Sequence, residues 1–383
     1  MGLNIGKHRE ARPAYGFDDI SLVPGTITVN PMEVDTSFSI PAGDGRSLRL
    51  GVPVLASAMD GIADVRFCTE LNRLGGLGIL NLNGLQTRYE NPSTIIQQII
   101  DSKQEDVTAL LQCVYSEPVR EDLIGHRIED LKRNGVPVAV STLPHKASRY
   151  AGLAREAGAD VLVVQATVLT ARHHSTQYDF PDLKKLCSEM DIPVIAGNVA
   201  TTEAAGDLME CGVAAVLAGL GPGSACTSRK VLGIGVPQAT ATADCAAARD
   251  EFFRNTGRYV PVITDGGMTC GGDICKALAC GADAVMLGAA LAKASEAPGK
   301  GHHWGMAMPD SCLPRGTRIR VGVSGSLKTI LFGPATVDDG SQNLVGAITT
   351  AMSYVGAMDI AEFQKTPVVI TSPGSWNASG ASR

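Results

Sequence analysis

The sequence predicts a (β/α)8 barrel, and three observations carry the prediction. Eight short apolar runs alternate with longer helix-like segments, and several are apolar at consecutive positions, as strands covered on both faces must be. Small residues follow the runs, leaving backbone N–H groups open at the strand C-terminal ends, where barrels of this class keep their active sites. No GxGxxG turn follows the first run, which argues against an open doubly wound sheet.

In chain order, VPVLASA (52–58) and LGILN (77–81) are the first two strands. The segment 82–135 is long for a strand-to-strand connection, but PSTIIQQII and EDLIGHRIEDLKR read as extra helices rather than a separate domain. VPVAVSTL (136–143) leads into the amphipathic stretch ASRYAGLAREAGA (147–159), and DVLVVQA (160–166) follows. PVIAGNVA (193–200) precedes TTEAAGDLMECG (201–212), a helix that Thr201 or Thr202 caps ahead of Glu203. AAVLAGL (214–220), VPVITDGG (260–267) and AVMLGAA (284–290) complete the eight. Beyond them LVGAITTAMSYVGAMDIAEF (344–363) is helical. One domain is expected over 1–383, with an N-terminal arm (1–50), a short flap region (306–322) and a Gly- and Ser-rich tail (372–383).

Composition narrows the function. A net charge of −6 argues against a nucleic-acid binder driven by phosphate contacts. There is no apolar run of about 18 residues to span a membrane. The start, MGLNIGKHREARPAYG, lacks the apolar centre of a signal peptide. Ten scattered cysteines then read as reduced thiols of a cytoplasmic protein. Cys270, Cys275 and Cys280 recur every five residues, which is not a zinc spacing, and are taken as packing residues.

Two motifs carry chemistry. DGGMTCGGDICKALACGADAVMLGAALA (265–292) places Gly-rich turns after strands seven and eight, where backbone amides and a helix N-terminus bind phosphate. Asp265 ends strand seven; a carboxylate there suits a ribose diol, and it equally suits capping of the next turn. GPGSACTSRKVLGIGVPQ (221–238) puts Cys226 in a loop whose neighbours Gly221, Gly223 and Ser224 offer it no apolar pocket. Arg229 and Lys230 favour a thiolate, and Thr227 and Ser228 add hydroxyls, so Cys226 is a candidate covalent nucleophile. Carbonyls of so tight a loop also suit a monovalent cation.

FDDISLVPG (17–25), SAMD (57–60), GNVAT (197–201), the Cys226 loop and the DGG…GADAVMLG segment together resemble the IMP dehydrogenase/GMP reductase family over nearly the whole chain. The resemblance implies that Cys226 attacks C2 of a purine nucleotide, that NAD accepts hydride, and that water then releases XMP. It implies catalytic hydroxyls at Thr227 and Ser228, and a potassium ion on the carbonyls of Gly221, Gly223 and Cys226. Phosphate and ribose contacts fall on Ser224, Asp265, Gly266, Gly267, Gly288 and Ala289, and the purine pocket on Ser57, Met59 and Asn198. Gly305 and Met306 join the substrate residues, and Gly219, Leu220 and Gly221 fall on the cofactor side. A homotetramer or homo-octamer is implied as well.

Departures from the family pattern are informative. Residues 82–135 are too short for the paired cystathionine-β-synthase-type (CBS) modules that the family's dehydrogenases usually carry after the second strand. Their nicotinamide-ribose aspartate aligns with Gln165, their phosphate-holding tyrosine with His303, and the residue reading the purine N1 edge with Arg315. The flap, shortened to AMPDSCLP, lacks the family's water-activating Arg-Tyr pair. Three replacements are open: Arg88 with Tyr89, Arg315, and His302 with His303. The function expected is conversion of IMP to XMP with NAD. The alternatives are reduction of GMP to IMP with NADPH, and a catalytically silent purine-nucleotide-binding protein.

Overall fold

Eight parallel strands close on themselves: Val54–Ala56 (β1), Leu77–Asn81 (β2), Ala139–Thr142 (β3), Val161–Gln165 (β4), Val194–Val199 (β5), Ala215–Ala218 (β6), Val262–Asp265 (β7) and Ala284–Leu287 (β8). Each pairs with the next, and β8 pairs back onto β1. The predicted barrel is present, and each of the eight apolar runs contains one strand. This computed structural model describes residues 3–42, 45–176, 182–305 and 317–371.

Alternation within the strands makes the two cores. Leu55, Leu77, Ile79, Val161, Val163, Ile195, Leu217, Ile263 and Met286 point into the barrel and pack together. Their sequence neighbours, among them Val54, Leu80, Val140, Leu162, Val216 and Val285, point outward beneath the helices. Both faces are dry, which is why the strands read as unbroken apolar runs.

The lower end is closed by an antiparallel hairpin, Phe38–Pro41 with Ser47–Leu50, that the reading of residues 1–50 as an arm did not resolve. Its Phe38, Ile40 and Leu50 join the interior cluster, so only the upper end is left as a mouth. After β2 a short 3-10 turn is followed by three helices, Pro92–Asp101, Val107–Ser116 and Glu121–Arg133. Helix starts follow local chemistry. Thr201, not Thr202, caps Thr202–Glu210 by accepting the Ala204 N–H at 3.2 Å. The helix expected at 147–159 begins earlier, as Pro144–Glu156, because Pro144 fits the first turn without needing a partner for an N–H. The stretch 344–363 is two helices, Leu344–Val355 and Ile360–Phe363, broken at Gly356 with φ of +76°.

Below β7 and β8 a buried ion pair staples the wall. Arg249 reaches Asp283 at 2.9 Å and the Gly281 carbonyl at 2.7 Å. Asp283 also accepts from the Tyr259 hydroxyl at 2.6 Å, the Gln364 amide at 3.0 Å and the Val262 N–H at 2.8 Å. Removing one partner of such a pair costs about 3–5 kcal/mol, because the other charge stays buried. Asp283→Ala is therefore expected to lower Tm by roughly 5–10 °C, read by thermal denaturation. An unchanged Tm would show that Arg249 does not depend on this carboxylate.

Candidate active site at the barrel mouth

Two residues beyond the last apolar inward positions, the same period places Ser57, Gln165 and Asp265 around the mouth. Asn198 joins them because the β5–β6 register shifts between Gly197 and Val199, as at a bulge, which re-aims a side chain. The three amide and carboxyl groups form one network. The Gln165 Nε2 donates to Asp265 Oδ2 at 2.9 Å and to Asn198 Oδ1 at 3.1 Å, and Asn198 Nδ2 donates to Asp265 Oδ2 at 2.8 Å. Desolvation pushes the Asp265 carboxyl up from 3.8 to about 6, against the pull of those two donors. Gln165, assigned to the cofactor by resemblance, thus spends its amide on Asp265 and Asn198, which the resemblance assigns to the substrate.

The Cys226 loop leaves β6 through Gly219, whose missing Cβ would fall 2.3 Å from the Asp265 carbonyl oxygen. Val236 N–H donates to the Leu220 carbonyl at 3.0 Å, joining the two ends of the loop. The Arg229 stem packs where Cβ atoms of Gly221 and Gly235 would stand, 2.8 and 2.6 Å away, which requires glycine at both. A turn closed by Cys226 N–H on the Gly223 carbonyl (3.0 Å) presents a half-buried Cys226, its Sγ 3.4 Å from the Ser228 Oγ. Ser228 is buried, Thr227 is half-buried and Ser224 is exposed. By contrast, burial pushes the Cys245 and Cys275 thiols up to about 12, which suits packing residues.

Neighbouring loops close on this one where side chains are missing. Gly266 and Gly267 have φ of +87° and +81°, and their Cβ positions would lie 3.3 and 2.9 Å from Pro222. A Cβ at Gly288, after β8, would lie 3.4 Å from Met59 Sδ and 3.6 Å from Ser57 Oγ, and Ala289 opens the short helix Ala289–Ala292. Gln238 escaped notice in the sequence. It is buried beneath the loop, donates to the Ala218 carbonyl at 2.7 Å and fills the space beside Gly219.

The far wall is a two-stranded ribbon, His302–Trp304 with Arg318–Arg320, so the end of the expected flap region belongs to a strand. His303 is buried, and neither ring nitrogen has a partner among the described residues. Desolvation, with the neighbouring His302 charge second, pushes it down to about 4, so the imidazole is neutral at pH 7. His302 Nδ1 lies 3.3 Å from the Gly299 carbonyl. The Cβ position of Gly305 is 3.6 Å from the Ala225 carbonyl, next to Cys226. Met306, Arg315 and the tail 372–383 lie outside the described residues.

Arg88 and Tyr89 are held by main chain. Arg88 donates to the carbonyls of Asn83 (3.1 Å) and Glu117, and the Tyr89 hydroxyl to that of Val114 at 3.0 Å. Beside them stand Asp60, Tyr115 and Trp304, buried and hydrogen-bonded to one another, which the sequence reading did not single out. Desolvation raises Asp60 to about 6, opposed by donors from Tyr115, Leu85 and Gln86 and by the Arg88 charge.

With this geometry in hand, comparison with known proteins is specific. Residues 14–379 match the IMP dehydrogenase / GMP reductase domain. An uncharacterized oxidoreductase of Mycolicibacterium smegmatis is 39% identical over 97% of this chain and 100% of its own. The inosine-5'-monophosphate dehydrogenase of Cryptosporidium parvum is 30% identical over 97% of this chain and 94% of its own. A crystal structure of an IMP dehydrogenase/GMP reductase-like protein from Corynebacterium glutamicum matches with a TM-score of 0.90 at 36% identity, covering 97% of this chain and 98% of that one. The class is thus a (β/α)8-barrel oxidoreductase. Within it, the chain belongs to the IMP dehydrogenase/GMP reductase family, whose members bind purine nucleotides.

The raised Asp265 pKa has a definite sign. The folded chain holds that proton more tightly than the unfolded chain, so the group favours folding fully below about pH 4 and loses that contribution as pH rises through about 6. The interval from 3.8 to about 6 is worth at most about 3 kcal/mol. Asp265→Asn is expected to raise the Tm of the ligand-free chain by a few degrees at pH 8 and not at pH 4, while purine-nucleotide affinity falls at least about tenfold. Thermal melts at both pH values and nucleotide titration check this.

Proposed function

We propose that this protein is an IMP dehydrogenase that forms XMP with NAD through a covalent bond to Cys226. The observation carrying this reading is the half-buried Cys226 thiol, 3.4 Å from a buried Ser228 hydroxyl, on a loop pressed against Gly266 and Gly267 at the mouth. The Cys226 sulfur bonds to C2 of the hypoxanthine ring while the C2–N3 π pair moves to N3 and takes up the thiol proton there, and the Ser228 and Thr227 hydroxyls stabilise the sulfur as it gives up that proton. Hydride then leaves C2 with its electron pair, giving a thioimidate on Cys226. Water adds to that carbon, the C–S bond breaks, and XMP leaves with the thiol restored.

The remaining roles follow from position. Asp265, steadied by Asn198 and Gln165, takes the ribose hydroxyls. Gly266, Gly267, Gly288, Ala289 and Ser224 hold the phosphate through main chain and hydroxyl. Met59 and Ser57 line the purine; Arg315 and Met306 are assigned to it by the family resemblance alone and lie outside the described residues. His303 and Gly305 complete the pocket, the neutral imidazole serving as both donor and acceptor. Arg88 and Tyr89 brace the wall through carbonyl hydrogen bonds.

NAD supplies the hydride acceptor. Open space at the Cβ position of Gly223 leaves room for a flat ring, with Gly219, Leu220 and Gly221 along one side. Gln165, already committed to Asp265 and Asn198, offers no carboxylate to a second ribose. The carbonyls of Gly221, Gly223 and Cys226 are hard oxygen donors and suit potassium. Among the described residues all nine cysteines are free, which suits the cytoplasm, and no helix is long and apolar enough to cross a membrane. The assembly is a homotetramer or homo-octamer of single-barrel chains without CBS modules.

Absorbance at the reduced-nicotinamide band tests the reaction. A rise with IMP and NAD is expected, and Cys226→Ala lowers kcat at least about 10³-fold. A fall with GMP and NADPH would make the protein a GMP reductase, which the GPGSACTSR stretch (221–229) also resembles. Silence in both assays, with IMP still protecting Cys226 from alkylation, would leave a binding protein.

A further inference from the structure

We propose that Asp60, Tyr115 and Trp304 are positioning residues: a buried relay that sets the spacing between two walls of the nucleotide pocket and couples them when nucleotide binds. The proposal rests on the nucleotide-binding reading above. Tyr115 is its centre. Its hydroxyl has one proton and two lone pairs. The proton goes to Asp60 Oδ2 at 2.6 Å, and one lone pair accepts the Trp304 indole N–H at 2.8 Å. Asp60 Oδ1 accepts the Leu85 N–H at 2.8 Å, and the Arg88 guanidinium lies 5.8 Å over the Tyr115 ring. Asp60, Tyr115 and Trp304 are only 2%, 3% and 0% exposed.

The ends of this chain stand next to the site. Asp60 follows Met59, whose sulfur is 3.4 Å from the Cβ position of Gly288. Trp304 stands between His303, whose ring nitrogens have no partner among the described residues, and Gly305, whose Cβ position is 3.6 Å from the Ala225 carbonyl. The walls are also pinned directly, since the Gly299 N–H donates to the Gly61 carbonyl at 2.9 Å and a Cβ at Gly61 would lie 2.8 Å from the His302 carbonyl oxygen. The direct contact fixes the backbones, while the relay fixes the side-chain spacing through a third element, the helix Val107–Ser116.

A purely packing role is a poor explanation for this chemistry. An apolar trio of similar volume would fill the same space without burying a carboxylate, whose desolvation costs several kcal/mol. The polar chain adds distance and direction, which an apolar contact does not. Gly84 shows how tightly Asp60 is held, for a Cβ there would lie 2.3 Å from Oδ1. A nucleotide that shifts Met59 therefore shifts Tyr115 and Trp304 with it.

The test uses the full chain carrying Trp376→Phe, which leaves Trp304 as the sole tryptophan. IMP is titrated without NAD, so no turnover occurs, and Trp304 emission is followed. A saturable emission change is expected in this parent. Tyr115→Phe should weaken IMP binding about tenfold and abolish most of the emission change, and Asp60→Asn, which keeps an acceptor oxygen, should recover part of both. Tyr259→Phe removes a second Tyr–Asp hydrogen bond, that to Asp283 at 2.6 Å below the barrel. It should lower Tm without moving IMP affinity more than twofold.

The relay is overturned if Tyr115→Phe, or Asp60→Asn should that variant alone fold, binds IMP within twofold of the parent with the emission change intact. If the parent binds GMP and not IMP, the dehydrogenase reading falls and the same variants are read with GMP. If it binds neither, both proposals fall.

Discussion

Everything at the mouth depends on one constraint, the two-residue period of strands whose two faces are both buried. The inward positions are apolar for two layers, as Val161 and Val163 show in β4, and the next inward position is Gln165. The same step leads from Ile263 to Asp265 and from Leu55 to Ser57. A dry core thus ends abruptly in a polar layer, where Gln165, Asn198 and Asp265 satisfy one another. The hairpin under the barrel makes this asymmetric by sealing the lower end with Phe38, Ile40 and Leu50.

Missing side chains do the rest of the assembly. At several places loops from different strands approach this closely because no Cβ intervenes. Gly219 lets β6 pass the Asp265 carbonyl, Gly266 and Gly267 let the β7 loop meet Pro222, and Gly288 makes room for Met59. Cys226 is held by these contacts rather than by an apolar pocket, which leaves its sulfur half-buried beside Ser228. Buried Cys245 and Cys275 show the opposite environment and stay protonated.

Two carboxyl groups, Asp60 buried and Asp265 half-buried, are each raised to about 6 by desolvation, yet their partners differ. Among the described residues Asp265 is met by side-chain amides on one oxygen only, an arrangement open to a ligand. Asp60 has donors on both oxygens and belongs to the frame. Burial alone therefore does not mark a binding residue; the distribution of partners does. His303 completes the contrast, being buried, neutral and without a partner for either nitrogen among the described residues.

The sequence by itself determined the barrel and its polarity, because those rest on local signals: the apolar runs, the two-residue period and the small residues after each run. It also singled out Cys226, Asp265 and Asn198 as candidates, and it pointed to the family that their motifs resemble. What it did not contain was the partnership among distant residues. Gln165 read as a substituted cofactor contact, and only closure of the barrel brought it to Asp265, 100 positions away. Arg88 and Tyr89 read as loop residues free for chemistry until the helix Val107–Ser116 and the residue after it supplied the carbonyls that hold them. Asp60, Tyr115 and Trp304 carry no local signature, since a buried carboxylate, phenol and indole form a chain only where three separate elements converge. Periodicity is written within a strand, whereas hydrogen-bond partnership between elements exists only once the chain has closed on itself.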